Sequence, residues 1–164
     1  MSKSIVLIGM PGAGKSTLGV LLAKETARDF VDTDVLIQVR EGKTLQEILN
    51  ETDYLNLRQI EEQALLSVDL SQHVIATGGS AVYSERGMQH LAQLGPIVFL
   101  DCSLAELRRR IQNYETRGIA RRPEQSFEAL FDERNALYCR YANLVIHCDG
   151  LSQQEIVDQI VGQL

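Results

Sequence analysis

The chain has 164 residues, 45% of them hydrophobic and 23% charged, with a net charge of −6 at pH 7. That size and composition predict a single domain over residues 1–164 with a full core, and exclude a disordered chain. No apolar run approaches the roughly 18 residues that cross a bilayer, and an acidic balance without basic blocks or interleaved aromatics argues against nucleic acid as a partner.

The first apolar run, Ser4-Ile5-Val6-Leu7-Ile8, reads as a strand over about 4–9. It starts so early that no cleaved leader is expected. The cysteines Cys102, Cys139 and Cys148 form no Cys-x-x-Cys pair, so reduced thiols in a cytoplasmic protein are expected. The strand is followed by Gly9-Met10-Pro11-Gly12-Ala13-Gly14-Lys15-Ser16-Thr17, which is Gly-x-x-x-x-Gly-Lys-Ser, and then by the helical pattern Leu18, Leu21, Leu22, Ala23. A glycine-rich loop between strand and helix is the context of a phosphate-binding P-loop. Its amides and the helix dipole cradle an anion. Lys15 then reaches the β- and γ-phosphates of a nucleotide, and the Ser16 hydroxyl can ligate Mg²⁺.

A short strand, Asp29-Phe30-Val31-Asp32, puts Asp32 and Asp34 at the edge where open α/β sheets bind ligands. A helix over about 34–41 stops at Gly42, and Thr44 with Glu47 forms a capping box for the next. Asp53 caps a helix running to about Val68, with Leu57, Ile60 and Ala64 on its buried face. His73-Val74-Ile75-Ala76-Thr77 is a strand ended by Gly78-Gly79-Ser80, and a helix over about 84–94 follows. The apolar run from Pro96 to Asp101 suits the middle of a parallel sheet. Ser103 caps a helix through Arg108-Arg109-Arg110. The polar, arginine-rich stretch 113–125 reads as a mobile lid. A helix over about 126–140, a strand over 143–147 and a helix over 152–163 complete the chain. Strands alternating with helices predict a three-layer α/β/α fold with a five-stranded parallel sheet, a P-loop NTPase fold with a lid.

The guanine-reading Asn-Lys-x-Asp and the Asp-x-x-Gly of switch GTPases are missing, which leaves the small-molecule kinases. Successive blocks then carry a resemblance over almost the whole chain. They are the P-loop with Ser16-Thr17, Asp32-Thr33-Asp34, Gly42-Lys43-Thr44-Leu45-Gln46-Glu47-Ile48, Leu57-Arg58-Gln59-Ile60-Glu61 with Val74-Ile75-Ala76-Thr77-Gly78-Gly79, and Arg134-Asn135-Ala136-Leu137-Tyr138. In this order they resemble the shikimate kinase family. The resemblance implies transfer of the ATP γ-phosphate to the 3-hydroxyl of shikimate, with Mg²⁺ required.

It also implies the site. Gly12, Ala13, Gly14, Lys15, Ser16 and Thr17 would hold the ATP phosphates, with Arg110 against adenine and Arg117 swinging from the lid onto the transferring phosphoryl. Ser16 and Asp32 would hold the metal. Asp34 would accept the proton of the attacking hydroxyl. Arg58 and Arg134 would grip the acceptor carboxylate in fork geometry. Glu61, three residues after Arg58, would orient it. Gly78 and Gly79 would let the backbone approach the acceptor. Three positions depart from the family pattern: Ser80 replaces a third glycine, Gly118 follows Arg117 where a proline is usual, and Leu57 replaces a phenylalanine. The paired arginines point to an acidic acceptor, not to shikimate uniquely. A kinase for another small carboxylated hydroxy compound, or a nucleotide-binding regulatory module, remains an alternative. The expected partners are small molecules, and the expected state is a monomer.

Overall fold

The computed structural model describes residues 3–111 and 124–164. Arg117, Gly118 and nearly all of the expected lid lie outside them. Five strands, β1 (Ile5–Ile8), β2 (Asp29–Asp32), β3 (His73–Ala76), β4 (Ile97–Asp101) and β5 (Leu144–His147), form one sheet in the order β2-β3-β1-β4-β5. Every pair is parallel. β1 and the first four residues of β4 are fully buried, as their unbroken apolar sequences require.

The helices are α1 (Lys15–Thr26), α2 (Thr33–Glu41), α3 (Leu45–Glu51), α4 (Tyr54–Ser67), α5 (Glu85–Leu94), α6 (Leu104–Arg110), α7 (Phe127–Tyr141) and α8 (Gln153–Gln163). The strand order decides which face each one covers. Passing from β1 to β2 moves one way along the sheet, while the later crossovers move the other way. Right-handed crossovers therefore put α1 on one face and the helices between β2 and β5 on the other. In agreement, α8 packs on α1, and α4 packs on α5. The expected α/β architecture is the observed one.

Local chemistry sets the helix ends. Gly42, at φ +66°, stops α2, and Lys43 N–H donates back to Gln38 O at 3.2 Å. Thr44 and Glu47 form the expected capping box. The main core surrounds β1, β3 and β4, and includes Leu18, Leu22, Leu65, Met88 and Tyr138. A second, smaller core of Ile37, Ile48, Leu57 and Ala64 lies among α2, α3 and α4. Among the described residues, no helix is long and apolar enough to cross a membrane.

Candidate active site

Three strand ends converge at one edge of the sheet. The P-loop leaves β1, Asp32 closes β2, and Gly78-Gly79-Ser80 follows β3. Thr77 fastens the first to the third, since its N–H and Oγ1 both donate to Leu7 O, at 3.2 and 2.8 Å. Gly14, the residue before α1, has φ +92°, a left-handed conformation that glycine adopts without steric cost. Among the eight α-helices of the described residues, α1 alone starts without a side-chain cap. Asp32, Thr44, Asp53, Ser84, Ser103, Ser126 and Ser152 cap the rest. Gly14 thus offers no side chain to the first-turn amides of α1, which suits anion binding at a helix start.

Lys15 is buried and folds over its own loop, with Nζ donating to Gly9 O at 2.5 Å and Met10 O at 3.0 Å. Ser16 Oγ donates to Asp32 Oδ2. The other Asp32 oxygen is the cap of α2, accepting from Asp34 N at 2.9 Å and Val35 N at 3.4 Å. This serine–carboxylate pair fits Mg²⁺, a hard cation that takes one or two protein oxygens and completes its shell with water and substrate phosphates. Among the described residues, no group of three or more His, Cys, Asp or Glu side chains converges as a metal cage. From α6, Arg110 Nη1 donates to the P-loop carbonyls of Gly12 and Ala13 at 3.2 and 3.4 Å, and Glu106 accepts from its Nε at 2.9 Å.

Opposite the loop lies a cavity of about 330 Å³ whose wall includes Gly12, Gly14, Lys15, Ser16, Thr17, Asp34, Glu61, Gly78, Gly79, Ser80, Arg110 and Arg134. Gly78 and Gly79 serve this wall by closeness. A Cβ on Gly78 would lie 2.5 Å from Glu61 Oε2 and closer still to Asp34 Oδ1. One on Gly79 would lie 2.8 Å from both Pro11 Cδ and Arg134 Nη1. The space that a Gly79 side chain would need is therefore taken by Pro11 and Arg134. Tyr138, read as packing, does pack, with its ring centroid 5.1 Å from that of Phe99. Its hydroxyl also donates to Gly79 O at 2.6 Å and so fixes the turn.

The expected pairing of Glu61 with Arg58 does not form. Glu61 is buried and accepts a hydrogen bond from Ser80, the residue standing in for the third glycine. Burial, then the neighbouring Asp34 carboxylate, pushes Glu61 up to about 7, while the Ser80 bond, Arg134 and Lys15 pull the other way. Arg58 points elsewhere and is not among the residues of the cavity wall. Its guanidinium carbon stands 4.9 Å from the Tyr54 ring centroid and 3.5 Å from that of Tyr83. Burial lowers the Arg58 pKa, and the nearby Arg134 adds to this. Arg134 is 1% exposed, and its guanidinium carbon lies 5.5 Å from the same Tyr83 ring. Tyr83 also donates to Glu133 Oε2 at 2.5 Å, and Gln125 Nε2 donates to that oxygen at 3.2 Å. Tyr83 and Glu133 went unnoticed in the sequence. The only available signal was a tyrosine three residues beyond the Gly79-Ser80 turn.

A P-loop with its lysine on one side of a cavity, and a buried glutamate, a half-buried aspartate and a buried arginine on the other, is the equipment of a P-loop phosphotransferase that acts on a small acceptor. Comparison with known proteins narrows this class. The family model for shikimate kinase matches residues 11–164. A shikimate kinase from Chromohalobacter salexigens is 36% identical over 161 residues, covering 96% of this chain and 89% of that protein. One from Sulfurihydrogenibium sp. is 32% identical over 163 residues, covering 99% and 98%. The solved structure of shikimate kinase from Acinetobacter baumannii in complex with shikimate superposes with a TM-score of 0.88 at 27% identity, covering 99% of this chain and 93% of that one. The chain belongs to the shikimate kinase family.

Proposed function

We propose that this chain transfers the γ-phosphate of ATP to the 3-hydroxyl of shikimate, releasing ADP and shikimate 3-phosphate. The observation that carries the reading is the single cavity in which the P-loop and Lys15 face Asp34, Glu61 and Arg134. Phosphoryl transfer needs alignment and charge neutralisation more than covalent chemistry.

On this reading, Gly12, Ala13, Gly14 and Thr17 hold the ATP phosphates by backbone amides, and Lys15 moves from the loop carbonyls onto the β- and γ-phosphates. Ser16 and Asp32 hold Mg²⁺, which neutralises phosphate charge when bound. Asp34 orients the attacking hydroxyl and takes its proton. Arg134, with Arg58 beside it, receives the acceptor carboxylate; Gly78 keeps the wall thin enough for the two carboxylates to stand there, and Gly79 does the same for Arg134. Arg110 closes the nucleotide side, and Arg117 is assigned to the transferring phosphoryl. We expect a cytoplasmic monomer, checked by sedimentation of the purified protein.

The test is ADP release from Mg-ATP by the purified protein, with and without shikimate. Turnover that depends on shikimate is expected. A folded, ATP-binding protein with no such turnover overturns the assignment of the acceptor.

A further inference from the structure

Two cationic groups that must receive one carboxylate repel each other before it arrives. In this chain the groups are Arg58 and Arg134. They come from different helices, α4 and α7, so no local sequence spacing sets their separation. One ring lies within reach of both. Tyr83 has the Arg58 guanidinium carbon 3.5 Å from its centroid and that of Arg134 at 5.5 Å, both inside the range of cation–π attraction. The negative face of the ring offsets the repulsion, and its rigidity leaves the guanidinium planes few ways to turn. Arg58 Nε is buried without a hydrogen-bond partner among the described residues, so ring contact rather than hydrogen bonding holds that end of the side chain. The Tyr83 hydroxyl donates to Glu133, which anchors the ring itself to α7, the helix that carries Arg134.

We propose that Tyr83 is a positioning residue for acceptor binding, its ring setting the separation and orientation of Arg58 and Arg134 for the acceptor carboxylate. The proposal rests on the reading that these arginines grip that carboxylate. Tyr83 acts before chemistry and on the acceptor alone. Its loss therefore raises the KM for shikimate while kcat and the KM for ATP stay close to parental.

The experiment compares steady-state kinetics of the parent, Arg58→Ala, Tyr83→Phe, the ringless variants Tyr83→Met and Tyr83→Leu, and Tyr83→Met combined with Arg58→Ala. Thermal melting checks each fold, and two ringless variants guard against one failing to fold. We expect the ringless variants to raise the shikimate KM about tenfold, the span of roughly 1.4 kcal/mol. Tyr83→Phe, which keeps the ring, should restore most of the affinity. The double variant should be no worse than Arg58→Ala, because residues acting through one another are not additive. A ringless variant with parental shikimate KM, beside an Arg58→Ala that raises it, overturns the role of Tyr83 and leaves the acceptor site standing. So does a ringless variant whose kcat and ATP KM change as much as its shikimate KM. An Arg58→Ala with unchanged shikimate KM overturns the acceptor site, and the role of Tyr83 with it.

Discussion

Gly78→Ala is the most direct test of how the two carboxylates are placed. Gly78 lies outside the left-handed region that disfavours side chains, so the added methyl of alanine acts by contact. Ordinary van der Waals contact for a Cβ is 3.4–4 Å, but here Glu61 Oε2 would stand at 2.5 Å and Asp34 Oδ1 nearer. Both carboxylates must retreat, and a displacement of about 1 Å at a reacting group costs on the order of a hundredfold in rate. Glu61 has little freedom to move, being buried and bonded to Ser80. Overpacking at such a site costs about 1–3 kcal/mol of stability. The assay is ADP release at saturating Mg-ATP over a range of shikimate concentrations, with melting to show that the protein folds. The expected result is a kcat lowered about a hundredfold with the ATP KM little changed. A folded variant with near-parental kcat would refute the placement of Asp34 at the reacting hydroxyl.

Lys15→Met should fold and melt like the parent but turn over at least about a hundred times more slowly, the usual loss when one preorganised charge contact is removed. Near-normal turnover would take the P-loop out of the mechanism. Asp32→Asn keeps the cap of α2, since asparagine and aspartate cap equally well. It should leave the melting temperature alone while raising the Mg²⁺ concentration needed for half-maximal activity, and an unchanged Mg²⁺ requirement would remove Asp32 from the metal site. Glu61 retains its proton in the folded chain up to about pH 7 and in the unfolded chain only to 4.5. Folded protein then binds more protons across that window, so this group lowers stability as pH rises from 4.5 to about 7. The melting temperature of Glu61→Gln, measured against the parent, should climb over the same interval, and a difference that stays flat would contradict the burial of an ionisable Glu61.

The P-loop half of the candidate site was legible because it is contiguous. Nine successive residues, Gly9 to Thr17, carry their own strand and helix, and each role follows from local spacing. Helix starts were legible for a similar reason: Thr44, Asp53 and Ser103 each cap through a bond to a residue three places on. The acceptor half has no such spacing. Arg58 and Glu61, three apart on α4, read as partners, yet one turns to the rings of Tyr54 and Tyr83 and the other to Ser80, 19 residues away. Helical spacing makes two residues neighbours without deciding which surroundings each prefers. Ser80 offers a hydroxyl that a buried carboxylate needs, and Tyr83 offers a face that a buried guanidinium needs. The strand order was out of reach too, since it rests on contacts such as Thr77 with Leu7, 70 residues apart.

The second core has a consequence for how this molecule breathes. Ile37, Ile48, Leu57 and Ala64 are its only fully buried apolar side chains, and α3 is only seven residues long. A unit with so little buried apolar surface opens at a fraction of the global unfolding free energy, while the sheet and its P-loop open only with the whole domain. Amide hydrogen exchange should therefore run faster through α2, α3 and the first turns of α4 than through β1, β3 and β4. On the proposed reading the nucleotide side is then the stiffer one, and the acceptor side opens as one small unit. An acceptor bound against Asp34 and Glu61 should therefore slow exchange through this unit more than through the central strands.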